Sequence, residues 1–100
     1  VISNGVPITG LAGAVNSQKI YKITVPAGAT LLTFATTGVS GDVDLYASPG
    51  SAPTLTNYQY GSTGDTADEV LSIPFPVAGD WFVLVHGYTA YTGVVLTGSY

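Results

Sequence analysis

An all-β fold, an antiparallel β-sandwich of about seven to eight strands with jelly-roll-like character, is predicted by three observations. Apolar and polar residues alternate along several segments, and Gly, Pro or Asn recurs too often to leave about ten residues free for a regular helix. The alternating runs are short and separated by turn residues, in a chain of 100 residues that is too small for a large barrel. Two sheets packed face to face satisfy all three.

The elements follow in order. A first strand is placed at Val6 to Thr9. The second, Gln18 to Val25, alternates Tyr21, Ile23 and Val25 with Lys22 and Thr24, as a half-buried antiparallel strand should. Pro26-Ala27-Gly28-Ala29 reads as a turn, because Pro fixes φ and Gly admits positive φ, and it is expected to close a hairpin with a third strand at Thr30 to Thr36. Leu32 and Phe34 repeat the apolar spacing there. In the fourth strand, Asp42 to Ala47, Val43, Leu45 and Ala47 share one face and Asp42, Asp44 and Tyr46 the other. From Ser48 to Glu69 scattered Pro and Gly predict mainly loop, with a short edge strand near Tyr58. Further strands are placed at Val70 to Pro74, Trp81 to Gly87 and Val94 to Tyr100. Trp81 alternates with Val83 and Val85 and is assigned to the core, which leaves Phe82, Leu84 and His86 on the opposite face.

Composition removes several classes of function. Only 8% of residues are charged, the formal net charge is −4, and Lys19 and Lys22 are the sole strong cations. Such a chain cannot neutralise a phosphate backbone, so neither nucleic acid nor an anionic membrane surface is an expected partner. Its apolar runs are also far shorter than the roughly 20 residues of a spanning helix. Cys is absent, which excludes disulfides, thiolate metal sites and thiol nucleophiles. The chain starts at Val1 and contains no Met, so it is expected to be one domain, residues 1–100, of a longer exported precursor.

Three candidate chemistries remain. His86, the only histidine, would need a nucleophile and an orienting acid to act as a base, and no Ser lies in a G-x-S-x-G elbow, so a surface-facing aromatic is expected instead. Asp42 and Asp44, two apart on one strand face, suit either a calcium ligand pair or a solvated, turn-bracing role, with calcium the minority expectation. As a glycosidase pair they are poorly arranged, because such carboxylates must flank a substrate cleft. Asp65, Asp68 and Glu69 lie far from them in sequence and depart from the D-x-D-x-D-G calcium loop. The aromatics lead. Tyr46, Tyr58, Tyr60, Tyr88 and Tyr91 fall on or beside loops and outer faces, where Tyr offers large rigid contact area with a polar tip. With Phe82 and His86 they form the expected ligand-binding set: Tyr46, Phe82 and His86 as a shallow patch, the other tyrosines on its rim.

Seven segments in order carry a resemblance: Asn4 to Leu11, Ser17 to Tyr21, Val25 to Ala29, Gly41 to Tyr46, Gly50 to Thr54, Ala78 to Val83 and His86 to Tyr88. Together they resemble the bacterial pre-peptidase C-terminal domain of secreted proteases, nearly end to end. The resemblance implies a non-catalytic β-sandwich that accompanies a protease catalytic domain in cis, and a relation to clostridial collagen-binding domains. It therefore implies a secreted, monomeric accessory domain that binds insoluble protein or polysaccharide, or alternatively a secretion or maturation element removed by processing. The stretch matching one part of the collagen binders' calcium site, Asn16 to Lys19, has no carboxylate, so no cofactor is expected there. A cysteine pair found in many members around Tyr58 to Leu71 is absent, which implies a looser loop.

Overall fold

In the computed structural model, which describes residues 1–100, eight strands and no helix build two four-stranded antiparallel sheets. The strands are β1 (Ile8–Gly13), β2 (Gln18–Val25), β3 (Leu31–Thr37), β4 (Val43–Pro49), β5 (Tyr60–Ser62), β6 (Glu69–Pro74), β7 (Gly79–Gly87) and β8 (Tyr91–Ser99). One sheet has the order β1-β8-β3-β6 and the other β2-β7-β4-β5. Every connection except β4 to β5 therefore crosses from one sheet to the other. This is the sandwich that alternation and turn spacing predict.

Alternation explains the core. Val43, Leu45 and Ala47 of β4, Trp81, Val83 and Val85 of β7 and Ile23 and Val25 of β2 point inward from one sheet, and Leu32, Phe34, Leu71, Ile73, Val94 and Leu96 meet them from the other. Burying this apolar surface between sheets is the main source of stability in a chain without disulfides. Trp81 is in this core, and its indole N–H donates to the Val77 carbonyl at 2.9 Å. A buried indole keeps its polar end satisfied in this way.

Three expectations are corrected. Pro26 to Ala29 does not close a hairpin: β2 pairs with β7, whereas β3 pairs with β6 and β8, so this turn is an arch between sheets. A turn sequence specifies the chain reversal and not whether the flanking strands exchange hydrogen bonds. The first strand runs Ile8–Gly13 instead of Val6 to Thr9, because β1 finds its partner in β8 through an irregular register from Ile8↔Leu96 to Gly13↔Tyr91. The edge strand expected near Tyr58 begins at Tyr60.

Candidate functional site

The two outer faces differ in chemistry. On β1-β8-β3-β6 the residues that point away from the core mix Thr33, Ala35, Ser72, Thr97 and Ser99 with exposed Leu31 and Val70 and half-buried Val95, and none of them is aromatic. On β2-β7-β4-β5 the outward residues meet in cross-strand rows: Lys22, Phe82 and Ser48; Ile20, Leu84, Tyr46 and Gly61; Gln18, His86 and Asp44. Same-face neighbours in such rows are within side-chain reach. The middle row is apolar.

Within it Leu84 and Tyr46 are buried although they face away from the core and Ile20 is 44% exposed, while Tyr58, from the β4–β5 connection, is 45% exposed. Tyr58 lies over Tyr46 with ring centroids 4.6 Å apart and planes tilted by 57°. Gly61 permits this, since a Cβ there would stand 2.8 Å from the Tyr58 ring and 3.3 Å from that of Tyr46. Hydrogen bonds donated by Gln59 N to the Ala47 carbonyl at 3.1 Å and to the Ser48 side-chain Oγ at 3.1 Å fix the approach. Phe82 is half-buried beside this pair, and Tyr88 is exposed at the end of β7.

The structure thus gathers Tyr46, Tyr58, Phe82 and His86 on one face, leaves Tyr88 at its end and separates Tyr60 and Tyr91 from it. Tyr60 turns toward the core, with its ring centroid 6.0 Å from that of Trp81. Tyr91 is 2% exposed and belongs to the core cluster, so it is no rim residue. It opens β8, and the rim placement fails because proximity to a loop in sequence does not determine which way a strand's first side chain points. His86 is also corrected: it lies on the outer face but only 7% exposed, between β2 and β4 in the sheet.

Asp42 and Asp44 likewise depart from a solvated role. Asp44 is 5% exposed, with Oδ2 3.9 Å from His86 Nδ1, and its Oδ1 and both imidazole nitrogens find no protein hydrogen-bond partner. Burial, with Asp42 and Glu69 adding repulsion, pushes the Asp44 carboxyl up to about 6, against the opposing pull of His86. Asp42 is raised as well, chiefly by burial and further by Glu69. One carboxylate oxygen from each of Asp42, Asp44 and Glu69 lies within 4.8 Å of the other two. Asp42, Asp44, Thr63, Gly64, Asp65 and Tyr88 line an open cleft of about 220 Å³ at this end of the sheet. Sequence distance hid Glu69 and Asp65, which the β5–β6 connection returns to β4. Asp68 points elsewhere and accepts from Gly38 N at 2.9 Å.

A two-layer sandwich of arch-connected strands, with one aromatic outer face and an acidic cleft at its end, defines the class: a small β-domain with its distinctive chemistry on one surface. The family model of the bacterial pre-peptidase C-terminal domain matches residues 18–87, and the chain belongs to that family. It is 41% identical over 99% of its length to the "Extracellular protease" of Xanthomonas campestris pv. campestris, of which it covers 17%. It is 33% identical over 99% of its length to "Alkaline serine exoprotease A" of Vibrio alginolyticus, covering 18% of that protein. The chain therefore spans less than a fifth of these relatives. The solution structure of vEP C-ter 100 superposes with a TM-score of 0.76 at 32% identity, covering 100% of this chain and 98% of that one. No helix is long and apolar enough to cross a membrane.

Proposed function

We propose that the chain is a non-catalytic accessory domain that holds an exported peptidase, linked to it in cis, on insoluble polymeric substrate such as collagen-like protein or polysaccharide. The observation that carries this reading is the outer face of β2-β7-β4-β5, where exposed Ile20 and Tyr58 and half-buried Phe82 surround buried Leu84 and Tyr46. The outward face of a sandwich sheet is ordinarily polar, and of the two faces here only this one carries outward aromatic rings on its strands, which favours contact with a partner. Flat aromatic surface suits sugar rings and extended polypeptide alike. A non-catalytic role is supported by the family, whose model matches residues 18–87, and by the small share, less than a fifth, that the chain covers of its protease relatives.

Sedimentation with insoluble collagen, chitin and casein tests the reading. The domain is expected to be retained on at least one, and Tyr58→Ala with Phe82→Ala to reduce retention by tenfold or more, on the order of 1.4 kcal/mol. Retention on none of them, or full retention by the double variant, refutes attachment through this face. Tyr46 is left intact in the test because it is buried beneath Tyr58. If retention fails while deletion of the domain blocks release of the parent peptidase, the maturation role replaces attachment.

A further inference from the structure

The cleft beside the aromatic face has a chemistry that substrate attachment does not use. Asp42 and Asp44, which line it from the start of β4, and Glu69, beside them at the start of β6, are each separately anchored. Asp42 N donates to Thr89 Oγ1 at 2.9 Å, and the Asp42 carbonyl accepts from Tyr88 N at 3.0 Å and Thr89 N at 3.3 Å. Asp44 is held by β4 in register with His86. At the start of β6, Glu69 Oε2 accepts from the Ser62 hydroxyl at 2.6 Å, Oε1 accepts from Gly64 N, and Glu69 N donates to Thr36 Oγ1 at 3.2 Å. The backbone thus brings like charges together and keeps them there.

Two observations independent of that clustering point to a ligand. Oδ1 of Asp42 and Oδ1 of Asp44 are both sequestered without a protein partner, on residues that line the cleft. Next to Asp44 is His86, more than nine-tenths buried, with neither ring nitrogen bonded and Nδ1 turned to the Asp44 carboxylate at 3.9 Å. Buried polar atoms are normally paired, and several orphans around one small space mark a place where a further partner completes the set. No lysine supplies it: Lys22 is engaged with Asp80 at 3.8 Å, and Lys19 lies along β2 opposite Val85.

We propose that Asp42, Asp44 and Glu69 form a divalent-cation site of the calcium type, closed on one side by Thr63, Gly64 and Asp65 and open to solvent on the other. The donor set is made of oxygen, which suits a hard cation. Its irregular arrangement around an open cleft suits calcium, which takes six to eight oxygens in flexible geometry and completes its shell with water and carbonyls. Zinc would want nitrogen or sulfur ligands in a closed tetrahedron, and here the one imidazole stands behind Asp44. His86 is placed to hold that carboxylate from the rear, as outer-shell groups do at metal sites. The site differs from the Asn16 to Lys19 stretch, which contributes no carboxylate. It also stands or falls independently of substrate attachment.

Thermal unfolding of the 100-residue chain with calcium chloride or with chelator gives one readout. Calcium well above its dissociation constant is expected to raise Tm by at least about 5 °C. Terbium luminescence sensitised by tyrosine gives a second, since Tyr88 lines the cleft, and calcium should displace the terbium. Asp42→Asn and Asp44→Asn should each weaken calcium at least tenfold, whereas Asp80→Asn, whose partner is Lys22, should leave it unchanged. Asp42 is only partly buried, so its variant keeps the test decisive should Asp44→Asn fail to fold. Equal Tm in calcium and chelator overturns the proposal, as does undiminished calcium binding by Asp42→Asn, or a response to zinc with none to calcium.

Discussion

Gly41 packs so closely on Tyr91 that a Cβ at position 41 would stand 2.6 Å from the Tyr91 Cβ and 2.5 Å from the Ala90 carbonyl oxygen. Its φ of +85° also lies where an L side chain is strained. Because this turn leads directly into Asp42 and β4, the approach of two backbones fixes where the acidic cleft starts. Gly41→Ala is therefore expected to cost roughly 2–5 kcal/mol, combining positive-φ strain with overlap against backbone that cannot move aside. Urea unfolding measures it, and an unchanged midpoint would contradict this account.

Tyr91 gives the chain an alkaline limit. Burial pushes its hydroxyl above the ordinary 10.0, with Tyr21 adding to the rise and the neighbouring Ser17 hydroxyl opposing it. A group raised in the folded state loses its proton more readily when unfolded, so the stability it contributes is fully present below about pH 10 and is lost as pH climbs through the folded-state value. Tyr21 and Tyr46 are raised by burial too, and comparison with Tyr91→Phe isolates the one residue. The variant should unfold at higher pH than the parent protein. Near neutral pH it should be equally stable or slightly more so, since the buried hydroxyl it removes makes no hydrogen bond of normal geometry, the neighbouring Ser17 hydroxyl included. A parallel loss of stability in both proteins above pH 10 would count against the buried hydroxyl as the cause.

Glu69 ties the β5–β6 connection to the sheet edge through Ser62 and Gly64. Glu69→Ala removes two hydrogen bonds to a carboxylate and should cost about 2–4 kcal/mol. Glu69→Gln keeps one acceptor oxygen and should cost less. Amide exchange at Gly64 should accelerate in both variants, more in the alanine one. Unaltered protection of that amide would show that the loop is held by something else.

How much of this was legible in the sequence is clearest in β4. Strict alternation of Val43, Leu45 and Ala47 against Asp44 and Tyr46 specified the strand, its faces and its contribution to the core. The same reasoning placed Trp81, Val83 and Val85 inside and joined Phe82, Leu84 and His86 on the outer face. It misjudged depth. On a central strand such as β7, flanked by β2 and β4, large neighbours cover an outward side chain, so Leu84 and His86 are buried on the face that alternation marks as outside.

By itself the sequence determined the fold class, nearly all the strands and most of the inward set, because these depend on two-residue periodicity and on turn residues that act locally; the family was carried by the resemblance of seven segments in order. Tertiary structure alone decided that β2 and β3 part into different sheets, that Tyr60 and Tyr91 turn inward, and that Glu69 joins Asp42 and Asp44. Those outcomes depend on which strands pair across long loops, and the free energy that selects the pairing comes from packing two complete faces together rather than from any one segment.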